Sequence, residues 1–333
     1  MKVLVTGGAG FLGRHILKGL LARGAVVSIY GRTPQPGLAA QGIRIIQGDL
    51  GDVARLREAV AGMDAVFHVA AKAGVWGDEQ AYVDTNVVGT RNVIQACEVA
   101  KVRRLVYTST PSVVFNGAAF RGADERLPYG RNWLCDYART KAIAEQMVLD
   151  AHDDKGLRTV AIRPHLIWGV GDPHIVPRLL DRATKGRLRI IGDGVNRVDI
   201  THVANAAHAH LLALDALDRG TCGGKAYFVS QGEPVVLWHW IDELVRGVGL
   251  PGVEKRIPLK TAYTLGAVLE GAWSLFGLRG EPPMTRFVAV ELAKDHWFDI
   301  SAARRDLGYA PIVSTKDGLA ELITHLRAGC LSR

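Results

Sequence analysis

A glycine-rich segment close to the start of the sequence restricts the fold more than any other feature. It reads TGGAGFLG, follows an apolar run at residues 3–5 and precedes a helical pattern. Its glycines fit both GxxGxxG and GxGxxG spacing: Gly7, Gly8, Gly10 and Gly13. Such a turn lets the backbone approach a pyrophosphate, which the unpaired N–H groups of the following helix can bind. In this context the motif predicts a dinucleotide-binding strand–turn–helix unit.

Apolar runs and helical patterns alternate through the first half of the sequence. Short buried strands are predicted at KVLVTG, VVSIYG, IRIIQGD, AVFHVAA, RLVYTST and TVAIRPH. Amphipathic patterns between them predict helices over residues 11–23, 53–61, 81–100 and 136–152. This alternation predicts an α/β fold with a doubly wound parallel sheet, the Rossmann arrangement.

The pattern loosens after about residue 165, where glycine and proline become frequent. Further strands are predicted at residues 188–191 and 226–229, and further helices at 238–248 and 315–326. We expect residues 1–165 to form the dinucleotide-binding domain, with elements from about 195–230 returning to it. Residues 166–194 and 231–333 are expected to form a smaller C-terminal substrate-binding part.

Charge and metal-binding residue types limit the classes of partner. The 333 residues carry a net charge of +8, but lysine and arginine are spread along the chain, so no nucleic-acid partner is predicted. Three histidines, His202, His208 and His210, do not share one helix face, and no metal site is predicted. The cysteines are far apart and form no CxxC pair: Cys97, Cys135, Cys222 and Cys330. With no targeting segment expected, we predict a cytoplasmic location.

One apolar stretch leaves two interpretations open. Residues 261–278 read TAYTLGAVLEGAWSLFGL, interrupted by Glu270 and three glycines, which is too short and broken to span a bilayer. The first interpretation is a half-buried helix that caps an apolar pocket with Trp273, Leu275 and Phe276. The alternative is peripheral contact with a membrane surface.

The end of the second predicted strand discriminates between cofactors. An acidic residue there would bind the ribose 2′-hydroxyl of NAD, but the sequence has Tyr30, Gly31 and Arg32. Arg32 is placed to pair with a 2′-phosphate, which predicts NADP(H). The alternative is a surface arginine in a protein that also binds NAD. Asp49, after the third strand, is expected to accept from an adenine amino group, whereas Asp52 fits a helix N-cap better.

Hydroxyl, phenol and amine groups suggest a reaction centre. The fifth predicted strand ends in Ser109 and Thr110, and Tyr137 and Lys141 lie four residues apart in a helical pattern, so they share one face. An ammonium beside a phenol is expected to lower the phenol pKa from about 10. Tyr137 then becomes a proton donor to a carbonyl, Thr110 holds the carbonyl oxygen, and Lys141 binds the nicotinamide ribose.

These motifs together resemble the extended short-chain dehydrogenase/reductases over nearly the whole chain. The shared segments are TGGAGFLG, GDL at 48–50, HVAA at 68–71, NVVGT at 86–90, YTST, YARTK, and RPHLIWG at 163–169. The resemblance implies catalysis by Thr110, Tyr137 and Lys141, and a homodimer formed through the helices that carry Asn86 and Tyr137. The cofactor contacts that it implies, besides Arg32, Tyr137 and Lys141, are Gly7, Gly10, Phe11, Leu12, Gly13, Asp49, Leu50, Ala70, Ala71, Lys72, Asn86, Ser109, Pro164 and Leu166.

The second half narrows the resemblance. VDITHVANAAHAHLLAL at 198–214 is similar to the 3β-hydroxysteroid and sterol-4-carboxylate dehydrogenases. AKAGVWG at 71–77 and GEPPMTRF at 280–287 most resemble bacterial 2-alkyl-3-oxoalkanoate reductases of long-chain olefin biosynthesis. That resemblance implies reduction of a long-chain β-keto acid to the 2-alkyl-3-hydroxyalkanoate with NADPH. It also implies pathway partners: a thiolase-like condensing enzyme before this step, and a β-lactone synthetase and a β-lactone decarboxylase after it.

Other functions and the binding of the substrate carboxylate stay open at this point. A 3β-hydroxysteroid or sterol-4-carboxylate dehydrogenase is the main alternative, and a non-catalytic NADP-sensing protein and a sugar-nucleotide epimerase are more remote. The sensing protein is disfavoured because Tyr137 and Lys141 are both present. The candidates for binding a substrate carboxylate are Lys72, His165 and Arg178.

Overall fold

Seven parallel strands form the central sheet of the protein. The structure is a computed structural model that describes residues 1–331. In chain order the strands β1 to β7 are Lys2–Thr6, Val26–Gly31, Arg44–Gln47, Ala65–His68, Arg104–Thr108, Arg158–Pro164 and Lys225–Val229. Their spatial order is β7-β6-β5-β4-β1-β2-β3, and each neighbouring pair is parallel. The predicted doubly wound α/β fold is confirmed, and the strand order reverses between β1 and β4, where such sheets bind ligands.

Helices cover both faces of the sheet. The helices α1 to α12 are Phe11–Ala22, Pro36–Ala39, Val53–Val60, Glu79–Tyr82, Gly89–Val99, Asp136–Asp150, Ile175–Thr184, Val203–Arg219, Leu237–Gly247, Leu259–Phe276, Arg286–Glu291 and Thr315–Leu331. α1 and α8 pack on one face of the sheet, and α3, α5 and α6 pack on the other. Successive residues of the strands serve the two cores alternately: Val3 and Val5 face the first core and Leu4 faces the second.

The helix predicted over residues 81–100 is present, but one of its turns is wider than an α-helical turn. α4 and α5 are separated by a π-helical turn at Val83–Val88. The wider turn contains Asn86, whose side-chain amide forms hydrogen bonds with Lys72 and Thr140, both outside this helix. The hydroxyl of Thr90 donates to the Asn86 backbone carbonyl at 2.6 Å. Single π-helical turns of this kind concentrate at functional sites.

The second half of the chain contributes to two cores. β7 and α8 join the main sheet, and a separate apolar cluster that includes Trp168, Trp240 and Leu244 fills the smaller part. Short strands, which the sequence did not predict, frame that part: Phe120–Ala123, Ile167–Trp168, Arg197–Val198, Thr201–His202, Val235–Val236, Arg256–Ile257 and His296–Phe298. The strand predicted at residues 188–191 is limited to Ile190–Ile191. The division into two domains stays a prediction.

α10 packs through one narrow stripe. Its buried residues are Ala262, Gly266 and Glu270, and a Cβ at Gly266 would lie 2.7 Å from the backbone nitrogen of Arg286. The Glu270 carboxylate accepts from the backbone N–H of Arg286 at 2.7 Å and from its Nε at 2.6 Å. Most of the remaining surface of α10 is exposed. None of the helices described over residues 1–331 combines the length and the apolar character needed to cross a membrane.

Candidate active site

The glycine turn closes one end of a cleft along the carboxyl ends of the strands. Gly7 has φ of +69°, and a Cβ there would lie 2.7 Å from the backbone nitrogen of Ala70. A Cβ at Gly13 would lie 2.3 Å from the Gly7 carbonyl oxygen. Only glycine therefore permits this turn to lie so close to the loop after β4.

The cleft has a volume of about 630 Å³ and brings together most of the predicted site residues. Those that line it are Gly7, Gly10, Phe11, Leu12, Gly13, Arg32, Asp49, Leu50, Ala70, Ala71, Ser109, Thr110, Tyr137, Lys141, Pro164 and Leu166. They come from the ends of β1 to β6 and from the starts of α1 and α6. This continuous lining reaches from the glycine turn to the Tyr137 face of α6.

Two predicted cofactor contacts, Lys72 and Asn86, do not line the cleft. Asn86 instead holds the backbone of Lys72 from both sides: its Oδ1 accepts from the Lys72 N–H at 2.8 Å and its Nδ2 donates to the Lys72 carbonyl at 3.1 Å. Nδ2 also donates to Oγ1 of Thr140 in α6 at 3.1 Å. The Lys72 ammonium lies 4.9 Å from the centre of the Tyr82 ring. Both residues therefore support the loop that follows β4.

The end of the cleft beside β2 and β3 is basic and polar. Arg32 is exposed there, and its carbonyl accepts from Nε2 of Gln47 at 2.9 Å. Asp49 points Oδ1 at the Gly51 N–H at 2.8 Å, and Asp52 caps α3 through the Arg55 N–H at 3.0 Å, as predicted.

Sequence reasoning missed three residues at this end. Thr33 and Gln35 line the cleft, and Arg14 directs Nη2 toward Oε1 of Gln35 at 3.4 Å. Arg14 directly follows the last glycine of the turn. That position was a usable signal, because the first turn of α1 must face the loop after β2.

The catalytic candidates meet at the other end of the cleft. Tyr137 and Lys141 lie on the same face of α6, and the Lys141 ammonium donates to the Thr108 carbonyl at 2.6 Å. It also lies 4.0 Å from the centre of the Tyr107 ring. Thr110 lines the same end of the cleft, and its side chain acts on the Tyr137 phenol in the direction of a lower pKa. The arrangement places a phenol, a hydroxyl and an amine around one end of the cleft.

Ser109 lies beside this group with an unused hydrogen-bonding group. Its backbone N–H donates to the Ile162 carbonyl at 2.6 Å, which fixes the residue at the end of β5. Its Oγ is buried and has no hydrogen-bond partner among the described residues. Because unpaired buried hydroxyls are costly, this atom fits a site whose ligand supplies the missing partner.

The expected lowering of the Tyr137 pKa is wrong. Burial raises the pKa of Tyr137 to about 12, and the Thr110 side chain offsets only part of that effect. The ammonium of Lys141 points to the Thr108 carbonyl and the Tyr107 ring instead of stabilising a phenolate. Burial lowers the pKa of Lys141 to about 7, although the Glu145 carboxylate acts in the opposite direction. The phenol is therefore protonated at neutral pH and can donate a proton.

A buried ion pair fixes α6 one turn beyond Lys141. The guanidinium of Arg163, in β6, donates to the two carboxylate oxygens of Glu145 at 2.9 and 2.6 Å. The Tyr129 hydroxyl donates to the same carboxylate at 2.9 Å. Because Tyr137, Lys141 and Glu145 are spaced by four residues, one helix face holds both the reactive groups and their anchor.

The candidates for binding a substrate carboxylate differ in position. His165 is buried, does not line the cleft, and shares a 2.5 Å hydrogen bond between its Nε2 and Nδ1 of His296. Burial lowers the pKa of His165 well below its usual value, so it supplies no positive charge at neutral pH. Lys72 is directed to the Tyr82 ring. Arg178 lines the cleft.

The apolar residues of α10 do not line the cleft, contrary to the first interpretation of this stretch. Trp273, Leu275 and Phe276 lie outside it, and the exposed fractions of Leu275 and Phe276 are 79% and 71%. The first half of α10 borders a second cavity of about 800 Å³. Phe115 lines this cavity, Phe287 lines the cleft, and their ring centres are 4.8 Å apart.

Two of the three histidines that were considered as metal ligands have structural roles. His202 caps α8, and His210 joins that helix to β5 through Nε2 and the Thr108 hydroxyl, 2.8 Å apart. A set not considered from the sequence, His165, Glu291 and His296, brings possible ligand atoms within 4.8 Å of one another.

Cys97, Cys135 and Cys222 are buried and free, and the Cys330 side chain lies outside the described residues.

Comparison with known proteins agrees with this geometry. Residues 4–260 match the 3-beta hydroxysteroid dehydrogenase/isomerase family. The chain is 52% identical to a 2-alkyl-3-oxoalkanoate reductase of Stenotrophomonas maltophilia over 97% of this chain and 98% of that protein. It is 34% identical to the human decarboxylating sterol-4-alpha-carboxylate 3-dehydrogenase, over 98% of this chain and 88% of that protein. A UDP-glucose 4-epimerase of Brucella ovis in complex with NAD is 27% identical, with a TM-score of 0.74 and 98% of each chain covered.

The burial of Lys141 predicts a pH-dependent stability difference. Its pKa is about 7 in the folded protein and 10.5 when exposed, so the unfolded state binds more protons between these values. The cost of burying the charged Lys141 amine lowers the free energy of unfolding fully below pH 7, and this cost disappears as the pH rises to 10.5. In urea denaturation, the free energy of unfolding of Lys141→Met minus that of the wild type should therefore fall from pH 7 to pH 10. Lys155→Met, at an exposed position, is the control, and a pH-independent difference for Lys141→Met would contradict the interpretation.

Proposed function

The chain belongs to the 3-beta hydroxysteroid dehydrogenase/isomerase family, and on that premise we propose that it reduces a long-chain 2-alkyl-3-oxoalkanoate to the 2-alkyl-3-hydroxyalkanoate with NADPH. One observation carries the proposal: Thr110, Tyr137 and Lys141 meet at one end of the cleft whose other end is the glycine turn. The 52% identity to a protein named for this reaction supports the choice of substrate. The Brucella ovis enzyme with bound NAD supports a nicotinamide dinucleotide as the cofactor.

The residues present fit such a cofactor. Gly7 and Gly13 let the turn pack closely against its own backbone, which leaves the N–H groups at the start of α1 for a pyrophosphate, and the unpaired Ser109 hydroxyl lies beside the reactive group. When bound, NADPH supplies the hydride to the substrate carbonyl carbon. Thr110 holds the carbonyl oxygen, and Tyr137 donates the proton of its hydroxyl to that oxygen, which completes the alcohol. Lys141, fixed by the Thr108 carbonyl, would orient the nicotinamide ribose.

The main competing proposal is oxidation of a 3β-hydroxysteroid or sterol-4-carboxylate. The family description and the 34% identity to the human sterol enzyme favour it. The same three side chains would serve that reaction in the opposite direction. The identity is lower than to the oxoalkanoate reductase, and Arg32 favours NADP(H), the usual cofactor of cellular reductions.

A substrate comparison tests the reaction and its proton donor together. We expect the wild type to oxidise NADPH with a long-chain 2-alkyl-3-oxo acid, and not with a 3-ketosteroid or a UDP-sugar. Tyr137→Phe should lower that rate at least ~100-fold, the scale of general acid catalysis, while NADPH binding stays near normal. Tyr263→Phe, outside the cleft, should change little. Preference for the steroid would establish the competing function, and full activity of Tyr137→Phe would refute the mechanism.

We propose that Arg32 selects NADPH over NADH, together with its neighbours Thr33, Gln35 and Arg14. Hydrogen bonds to charged groups contribute about 1.5–3 kcal/mol, which corresponds to ~10–100-fold in affinity. Arg32→Asp should therefore shift the ratio of kcat/KM for NADPH to that for NADH by at least ~10-fold toward NADH. Arg57→Asp, an exposed charge change on α3, is the matched control. An unchanged ratio in Arg32→Asp would remove this residue from the 2′-phosphate site.

The partners and location follow from the same proposal. The substrate would come from a thiolase-like condensing enzyme, and the product would pass to a β-lactone synthetase and then a β-lactone decarboxylase. Free buried cysteines fit a reducing, cytoplasmic compartment. A homodimer would form through α5 and α6, where Ile143 is partly exposed.

We also propose that the exposed face of α10 touches a membrane surface, where a substrate with two alkyl chains would concentrate. Leu265, Val268, Leu275 and Phe276 are exposed, and Arg279 follows them. Co-sedimentation with vesicles of phosphatidylethanolamine and phosphatidylglycerol should fall in the double variant Leu275→Ser, Phe276→Ser. Ile312→Ser, an equally apolar exposed position away from α10, should have no effect. Wild-type protein that stays in the supernatant would count against the proposal.

A further inference from the structure

Arg178 and Glu281 form an ion pair at the edge of the cleft, and neither belongs to the group of Thr110, Tyr137 and Lys141. Arg178, in α7, directs Nη2 to Oε2 of Glu281 at 2.6 Å, and the two side chains are 55% and 28% exposed. Arg178 lines the cleft. The other carboxylate oxygen of Glu281 lies 3.1 Å from where a Cβ of Gly74 would be, in the loop after β4. The pair therefore links α7 to Glu281, which lies beside the loop after β4 at the edge of the cleft.

The position of Arg178 is fixed by contacts on both sides along α7. The carboxylate of Asp172 accepts from the backbone N–H groups of residues 174–176 at distances from 2.8 to 3.2 Å, which caps the start of the helix. One turn beyond Arg178, Arg182 donates from Nη2 to the Pro283 carbonyl at 2.5 Å. Because α7 is held at its start and at Arg182, the Arg178 guanidinium has a defined position at the cleft.

Arg178 is the cation that remains for a substrate. The charged residues that line the cleft, within residues 1–331, are Arg32, Asp49, Lys141, Asp172 and Arg178. Arg32 and Asp49 follow β2 and β3 at the opposite end. Lys141 is bound to the Thr108 carbonyl, and the Asp172 carboxylate caps α7.

We infer that Arg178 binds the carboxylate of the substrate, and that Glu281 holds the guanidinium until the substrate carboxylate replaces it. This rests on the proposed function, in which the substrate is a 3-oxo acid. A guanidinium matches a carboxylate through two parallel hydrogen bonds, and Glu281 already occupies that position with the same chemical group. Because the carboxylate is separated from the reacting carbonyl carbon by one atom, its capture orients the carbonyl toward Tyr137.

The exchange predicts effects of opposite sign for the two partners. Loss of the guanidinium removes the substrate contact, whereas loss of the Glu281 charge removes an internal competitor for it. A purely structural ion pair would give effects of the same sign, because either substitution would loosen the edge of the cleft. A substrate without the carboxylate charge should respond to neither change.

The experiment uses the stable product and its ester in the oxidative direction. Initial rates of NADP⁺ reduction are measured with a long-chain 2-alkyl-3-hydroxyalkanoate and with its methyl ester, for the full-length protein. We expect Arg178→Gln to raise KM for the acid at least ~10-fold, the scale of a charged hydrogen bond, with little change for the ester. Glu281→Gln should lower KM for the acid, and Arg178→Lys should give an intermediate KM because the bidentate geometry is lost.

Three outcomes would overturn the inference while leaving the proposed function intact: equal effects of Arg178→Gln on acid and ester, no effect on either, or a KM for the acid that rises in Glu281→Gln as it does in Arg178→Gln. A folded wild type that binds NADP⁺ but oxidises neither compound would instead refute the proposed function. Lys185→Gln, an exposed lysine that follows α7, is the control for the charge change.

Discussion

The attachment of α6 to the ends of two neighbouring strands is the constraint on which the site depends. Lys141 binds the Thr108 carbonyl at the end of β5, and Glu145 binds Arg163 within β6. The side chains of Lys141, Glu145 and Arg163 are buried, so none of them can turn to water without leaving its partner unpaired. The rotation of the helix about its axis is therefore fixed, and Tyr137 must face the cleft one turn before Lys141.

The sequence was informative where the chemistry is local. The glycine turn, the four-residue spacing of Tyr137 and Lys141, and the cap at Asp52 each depend on residues close together in the chain, and the structure has them as predicted. The alternation of strands and helices was equally local, and the fold class followed from it.

Long-range contacts explain what the sequence did not reveal. Arg178 and Glu281 are more than a hundred residues apart, and nothing in either neighbourhood indicates that they pair. The π-helical turn depends on Asn86 reaching the loop after β4 and Thr140 in α6. The pKa of Tyr137 was predicted in the wrong direction because spacing places an amine near a phenol but does not give the direction of its ammonium, which another strand determines.

The two halves of the chain carry different parts of the proposed chemistry. The main sheet supplies the glycine turn and the reactive groups, which suit any carbonyl reduction, whereas α7 and Phe287 line the part of the cleft proposed to bind the substrate.

A crystal structure of the protein with NADP⁺ bound tests the central claim most directly. The account predicts the pyrophosphate on the glycine turn, the nicotinamide ring beside Thr110 and the Tyr137 hydroxyl, and the Lys141 ammonium within hydrogen-bond distance of the nicotinamide ribose. A nicotinamide ring at the Arg32 end, or one separated from the Tyr137 hydroxyl by more than a substrate carbonyl could bridge, would contradict it.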